Sequence, residues 1–436
     1  MGNTHSTIGS PTSNVFNHMR SGTNIGDETM DTIVFIGCNK SGTSRDALKA
    51  ATEMGYFTVL YTDRLKFLEQ REEFHEVHQL IYKKSLLDKK LIVDDIEKLV
   101  EGGKNVKACL SLIDPFVSIA AEVSEELQLA RATKEAMFIM ENKIMFREKL
   151  KHLPYTPQFF LFNKENSIDE FSQLMENSLP LVLKSPKSNG SKDVLFATNL
   201  HELKKGLTEL NRITTKGSIL VEEYIDGQQY LVEIIVYKRK VTIVCVLEQE
   251  VARRKRFIVL GYQFPAQLSS RQNDELEDTI NTIIKEIGLE NGSCHLEFRY
   301  VNKEWKLIEI NPRISGGAMN KIIYHGTGIN FVKEILKFHL GEEPIIEASK
   351  NECVYVGYIT VETKGILLKV TGKNRAKKYH GVKEVYVKPR KGSILTPPLS
   401  MGDRYAYVLA TAHSQEEAKQ YAHHALKEIK FIIEPL

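Results

Sequence analysis

The stretch Cys294–Asn320, CHLEFRYVNKEWKLIEINPRISGGAMN, decides how the rest of the chain is read. Two apolar, strand-like runs carry a carboxylate each, Glu297 and Glu309, and a turn containing lysine and glutamate lies between them. The two carboxylates are 12 residues apart across a predicted hairpin. Matched positions of paired strands point to one face. Like charges side by side destabilise each other unless a cation sits between them. Mg²⁺ shared between carboxylates and triphosphate oxygens is the usual solution. Asn311 adds a neutral oxygen on the same face, because the strand period is two. Arg313 continues the i, i+2 series with a guanidinium that can hold a carboxylate or a leaving phosphate bidentately. Gly316 and Gly317 follow directly.

Working outward toward the N-terminus, Leu181–Lys184 is a predicted strand that ends on a lysine. Burial there is expensive unless the ammonium meets an anion. The following loop, Ser185–Lys192 (SPKSNGSK), is small and basic. Such a loop can close over phosphates, although it is not GxxxxGK[ST], and an ordinary hairpin turn is the competing reading. Ile219–Ile225 (ILVEEYI) is an apolar strand whose end carries Glu222 and Glu223. Its backbone edge can pair with an adenine, and a nearby carboxylate can take N6 or the ribose hydroxyls. A charged edge-strand end is the plainer alternative. Residues 133–152 read as one helix with Lys143 and Arg147 at i, i+4, by default a solvated face.

The first ordered segment is a βαβ opening: strands Thr32–Ile36 and Phe57–Tyr61 around a helix ending near Met54. Strand Val106–Leu112 and a helix with Phe116, Ile119, Ala120, Val123 and Leu127 on one face complete a small α/β layer. Its turn, Gly37–Gly42, is not GxGxxG, so a plain domain wall is expected rather than a dinucleotide site. Beyond residue 228 the pattern is mostly strands, with a helix over about 270–288 and another over about 331–340. From Val354 the composition reads as a separate β-rich module closed by a helix over about 414–429.

Composition excludes several classes. The chain has 436 residues, 42% hydrophobic and 26% charged, with a net charge of only +3. This length calls for more than one core. So small a charge points to neither nucleic acid nor an acidic membrane as partner. The five cysteines are scattered, as expected of a reducing cytoplasm without disulfides or a zinc site. No run of about 18 apolar residues is present, so no membrane-spanning helix is expected. Residues 1–30 read as a disordered leader; they fit a loose myristoylation pattern, and Met30 is an alternative start.

The order of these features resembles that of ATP-grasp enzymes of the biotin-carboxylase-like superfamily, over about residues 31–436. Lys143, the strand-end Lys184, its loop, the EEYI strand end and LEF…IEINPR carry the likeness. The resemblance implies an α/β (α+β) class with an ATP-grasp fold, an N-terminal pre-ATP-grasp α/β domain over 31–132 and a linking helix over 133–153. A lid subdomain over 154–227, a central metal-binding subdomain over 228–345 and a β-rich domain over 346–436 would follow. It further implies that Lys143 and Lys184 contact the ATP phosphates under a loop containing Ser188, Gly190 and Ser191. Glu222 and the backbone of Glu223, Tyr224 and Ile225 would hold adenine. Glu297, Glu309 and Asn311 would bind one or two Mg²⁺, with Mn²⁺ an expected substitute, and Arg313 would stabilise an acyl phosphate.

Just after the arginine, biotin carboxylases carry a glutamate that deprotonates bicarbonate; this chain has Ile314, Ser315, Gly316, Gly317 and Ala318. The RISGG form, with the GV.EVY and R.AYV.A patterns downstream, resembles the L-amino-acid ligase branch of carboxylate–amine ligases. In that branch Gly316 and Gly317 would let backbone N–H groups approach the substrate. The resemblance implies amino-acid substrates, a cytoplasmic setting and, by analogy, a homodimer. A carboxylase and a catalytically idle ATP-binding module are the alternatives. Of the remaining candidates, the basic run Arg253–Arg256 reads as a substrate clamp or an exposed hairpin tip. His295 reads as a packed strand residue, and Tyr324 and His325 as possible walls of an amine pocket.

Overall fold

A computed structural model describes residues 30–186, 192–214, 217–253 and 256–436. Ile33 to Ile36 of strand Met30–Ile36 are buried without alternation, as expected where helices cover both faces of a parallel sheet. Its parallel neighbours are Phe57–Thr62 and Lys104–Leu110, and Gln79–Tyr82 closes the far edge. Gln79–Tyr82 and the helix Lys89–Glu101 are not among the elements expected from sequence.

The expected helix over 133–152 is two helices, Lys134–Glu141 and Lys143–Leu150. Asn142 leaves helical geometry (φ −106°, ψ 107°), and its side chain accepts from the N–H groups of Ile144 and Met145. It therefore caps the second helix. The break turns Lys143 and Arg147 inward: both are buried, so the solvated-face reading is corrected.

Strands Phe159–Phe162, Ile219–Glu223, Leu181–Lys184 and Val194–Ala197 form an antiparallel sheet in that order. The helix Leu200–Ile213 buries Leu203, Leu207 and Leu210 against this sheet.

The largest sheet has eight strands. It runs from Glu304–Asn311 through Gly292–Val301, Gln228–Tyr237, Lys240–Arg253 and Phe257–Phe264 to Cys353–Ile359, Ala406–Ala412 and Val382–Val387. Helix Ser270–Ile287 covers one face with Leu276, Ile280, Ile283, Ile284 and Ile287. These positions recur at helical spacing. Each buried aliphatic side chain contributes about 1.5–3 kcal/mol as an upper bound.

The residues after Val354 do not stand apart as a module. Three of their strands extend the central sheet through Phe257–Phe264, and only Gly365–Thr371, Ile394–Leu395 and Lys430–Pro435 form a small sheet of their own. All five cysteines are free, and among the described residues no helix is long and apolar enough to cross a membrane.

Candidate active site

The hairpin Gly292–Val301/Glu304–Asn311 turns through Asn302 and Lys303, both at positive φ (50° and 65°). Two-residue turns of this kind match the twist of the strands. Glu297 pairs directly with Glu309, and His295 with Asn311. One step from Glu297 the register slips, Phe298 facing Leu307, so Ile308 is an extra, bulged residue. Its carbonyl, freed from the ladder, accepts from Arg147 Nη2 at 2.8 Å and Lys184 Nζ at 3.3 Å. The bulge thus ties the carboxylate strand to the helix Lys143–Leu150 and to the lid strand Leu181–Lys184.

Four charges settle around this junction. Lys143 Nζ donates to Glu309 Oε1 at 2.8 Å. Burial opposes ionisation of Glu309, but the charges of Lys143 and then Lys184 outweigh it and hold the carboxyl well below the usual range. For Glu297 burial and then the Glu309 charge act together to raise the pKa. Gln229 Nε2 steadies Glu297 at 3.0 Å, and Gln249 lies at 3.5 Å. One carboxylate is therefore charged and compensated, and its partner lacks a full counter-charge.

His295 completes the set. Burial holds its pKa down at about 4, so the ring is neutral. Its Nδ1 lies 2.8 Å from the Arg313 carbonyl oxygen and its Nε2 3.2 Å from Asn311 Nδ2. A carbonyl can only accept, so Nδ1 carries the proton and Nε2 accepts from the amide. That fixes the orientation of Asn311 and leaves its Oδ1 as a free oxygen donor. The packed-residue reading of His295 is right about burial, and its orienting role went unread because it depends on contacts across strands. Among the described residues no group of three or more His, Cys, Asp and Glu side chains could hold a metal. Two carboxylates and an amide oxygen form an incomplete oxygen set, which fits Mg²⁺ that also takes ligands from a substrate.

Glu222 is placed otherwise than the sequence suggested. It is buried, and its two oxygens take Arg147 Nε and Lys184 Nζ. The anion that Lys184 needs is thus Glu222, which is a counter-ion rather than a free ligand for adenine. Of the hinge backbone groups, Glu223 N–H donates to Gln158 O at 2.9 Å and Tyr224 N–H to Pro180 O at 3.1 Å. The Ile225 carbonyl accepts from Arg299. Ser188, Gly190 and Ser191 lie outside the described residues.

Arg313 lies beyond the strand, which ends at Asn311, so it does not continue the i, i+2 face. Its Nε and Nη2 both bind Asp114 Oδ2, and its Nη1 donates to Ile314 O at 3.1 Å. Asp114 belongs to the loop after strand Lys104–Leu110, so this buried pair joins the first domain to the site. Asp114 Oδ1 is buried without a hydrogen bond. The glycine turn is held from both sides. Glu233 Oε1 accepts from Ser315 N–H at 2.8 Å, and Thr43 Oγ1 donates to Ser315 O at 2.6 Å. Gly317 has φ +70°, a conformation that glycine adopts without penalty. Tyr324 is exposed beneath Lys350, and His325 is half-buried beside it on helix Met319–Thr327. In the basic run, Arg253 stacks over Phe196 and Arg256 pairs with Glu209 at 2.8 Å, both on the lid. The run's described members contact the lid, Arg253 while remaining exposed; Arg254 and Lys255 lie outside the described residues.

Residues 177–321 match the family described as the ATP-grasp domain, and residues 357–434 match L-amino acid ligase C-terminal domain 2. An uncharacterized protein of Sinorhizobium fredii is 25% identical over 264 residues, covering 60% of this chain and 54% of that protein. Dapdiamide A synthase of Enterobacter agglomerans is 24% identical over 266 residues, covering 58% of this chain and 61% of the synthase. The chain thus spans little more than half the length of these relatives. Among solved structures, L-amino acid ligase from Bacillus licheniformis superimposes with a TM-score of 0.78 at 20% identity, covering 93% of this chain and all of the ligase (100%). The biotin carboxylase domain of Hydrogenobacter thermophilus 2-oxoglutarate carboxylase, solved with MgADP and bicarbonate, gives 0.70 at 18% identity, over 93% of this chain and 92% of that one. At these identities the likeness is one of fold.

Proposed function

We propose that this chain, an ATP-grasp-fold protein carrying the C-terminal domain 2 of L-amino acid ligases, is an ATP- and Mg²⁺-dependent carboxylate–amine ligase. In this reading it joins two amino acids through an acyl phosphate and releases ADP and phosphate. The observation that carries the reading is the Glu297–Glu309 pair with an Asn311 oxygen turned free by His295, directly ahead of a turn with no carboxylate.

Glu297, Glu309 and the Asn311 oxygen would hold Mg²⁺, which would supply charge neutralisation for the triphosphate. Lys143 and Lys184 bring positive charge to the same point, and each is already held in place by a carboxylate. The lid strand that ends on Lys184 closes the nucleotide side. One substrate carboxylate attacks the γ-phosphorus. The amine of the second substrate then displaces phosphate from the acyl carbon. Backbone N–H groups of the Gly316–Gly317 turn suit the developing oxyanion. Asp114 Oδ1, buried and unpaired, suits an ammonium. The turn lacks a side-chain base at the position where a carboxylase uses its glutamate, and this favours an organic acid over bicarbonate. The same reading extends to one or two metal ions, Mn²⁺ as a substitute, a cytoplasmic setting and a homodimer.

Phosphate release from ATP and Mg²⁺ across pairs of amino acids tests this. Release that requires two amino acids, with a matching amide product, is expected. Release that requires bicarbonate, or tight ATP binding without turnover on any pair, would refute it.

A further inference from the structure

Arg313 has no guanidinium edge to spare: Nε and Nη2 are on Asp114, and Nη1 is on Ile314 O. Another cation faces the glycine turn. Arg404 comes from the C-terminal residues, just ahead of strand Ala406–Ala412. Its guanidinium carbon lies 3.9 Å from the ring centroid of Tyr358 and 6.0 Å from that of Tyr262. Nε donates to Met401 O at 3.2 Å and Nη1 to Val259 O at 3.3 Å. Stacking on one face and two carbonyls in its plane fix the guanidinium. These carbonyls are neutral and Tyr262 also hydrogen-bonds the guanidinium; no described carboxylate forms an ion pair with it, Glu297 acting on its charge only through space, and the Nη2 edge holds no backbone carbonyl. That edge looks onto Gly317: a Cβ there would stand 3.8 Å from Nη2 and 3.5 Å from the Tyr358 hydroxyl. Glycine therefore keeps clear the space in front of the one nitrogen that holds no backbone carbonyl.

We propose that Arg404, supported by Tyr358, is a binding residue for the α-carboxylate of the amine-donating amino acid. The assignment rests on the ligase reading above for its substrate class. Of the two acids, the first loses its carboxylate charge when it is phosphorylated at the metal side. The second keeps its carboxylate through amide formation. A permanent anion drawn out of water needs a permanent cation, and a fixed planar guanidinium matches a carboxylate's two oxygens. Its partners Val259, Tyr262 and Tyr358 stand on the same eight-stranded sheet that carries Glu297 and Glu309, so the second acid's carboxylate would sit on that sheet beside the glycine turn.

The test is calorimetric titration of the full chain, saturated with Mg²⁺ and a non-hydrolysable ATP analogue, against proteinogenic L-amino acids and their α-carboxamides. The wild type is expected to bind its preferred amine donor at least tenfold more tightly than the corresponding amide. Arg404→Met should lose that preference, binding both as weakly as the wild type binds the amide, with affinity for the ATP analogue unchanged. Arg404→Lys should keep part of it. A wild type that binds acid and amide equally would overturn the assignment even if the methionine variant failed to fold. So would an Arg404→Met protein that keeps the wild-type preference. Arg404-dependent binding without amide product from ATP would refute the ligase reading and leave the carboxylate subsite standing.

Discussion

Glu233 is a carboxyl group that the fold holds uncharged. It lies fully buried on strand Gln228–Tyr237, with Oε1 on Ser315 N–H and Oε2 without a partner. Burial pushes its pKa well above 4.5, and the Ser315 hydrogen bond and the charge of Arg313 recover only part of that. In the unfolded chain the group ionises near 4.5, whereas the folded chain keeps its proton. Folding therefore takes up a proton, and stability falls as pH rises above 4.5 until the folded pKa is reached. The slope is about 1.4 kcal/mol per pH unit. Glu233→Gln keeps an acceptor for Ser315 and removes the slope. Urea midpoints taken in steps upward from about pH 5 should show the variant gaining on the wild type until the folded pKa is reached, and a constant gap throughout would refute the assignment. The same residue marks the limit of sequence reading. Glu297 and Glu309 were legible because a period of two aligns them across a short hairpin. Glu233 was not, since its partner Ser315 is 82 positions away. Glu222 misled for the same reason, its counter-ion Arg147 being 75 positions off.

Helices and strands read best where periodicity is unbroken. The helix Ser270–Ile287 and strands Phe57–Thr62 and Leu181–Lys184 fall where the pattern puts them. The helix pair around Asn142 does not, because asparagine breaks a helix only through the cap it makes. Asn142→Ala should cost about 0.5–2 kcal/mol in chemical unfolding, and the freed Lys143 should weaken ATP binding. The helix Met319–Thr327 was missed because its start lies inside a glycine-rich turn. The lid gives a second prediction at this scale. Tyr224 stacks on Phe257, 5.9 Å between centroids at 18°, and Phe196 meets Tyr224 edge-on at 4.8 Å. Such contacts contribute about 0.5–1.5 kcal/mol each. Phe257→Ala should therefore raise the KM for ATP about two- to tenfold in steady-state assays, while the unfolding midpoint moves little. An unchanged KM would show that this cluster does not hold the lid over the nucleotide.

Across the whole molecule, the order of units could be read from the chain, but not how they join. Whether a strand extends an existing sheet or founds a new one depends on edge pairing, which local composition does not encode. The union of the Val354 strands with the central sheet was therefore out of reach. The same holds for the first domain, whose loop proves to be a wall of the site. Gly42 sits at φ +85°, and a Cβ there would stand 2.9 Å from Gly317 O, 3.0 Å from its N and 3.1 Å from its Cα. These are backbone atoms, so the turn itself would have to move. Gly42→Ala is expected to cut kcat for amide formation at least tenfold. Its strain alone, an alanine at φ +85° and ψ −163° where only glycine is ordinarily found, costs roughly 1–3 kcal/mol of stability. Gly55→Ala is the control. It lies in the same domain at φ +89°, and its Cβ would meet nothing within 4 Å. It should lose some stability and keep its kcat. If both variants lose activity alike, backbone strain is responsible. If only Gly42→Ala loses it, the first domain shapes the reacting turn by direct contact, which the Thr43–Ser315 hydrogen bond at 2.6 Å reinforces from the neighbouring residue.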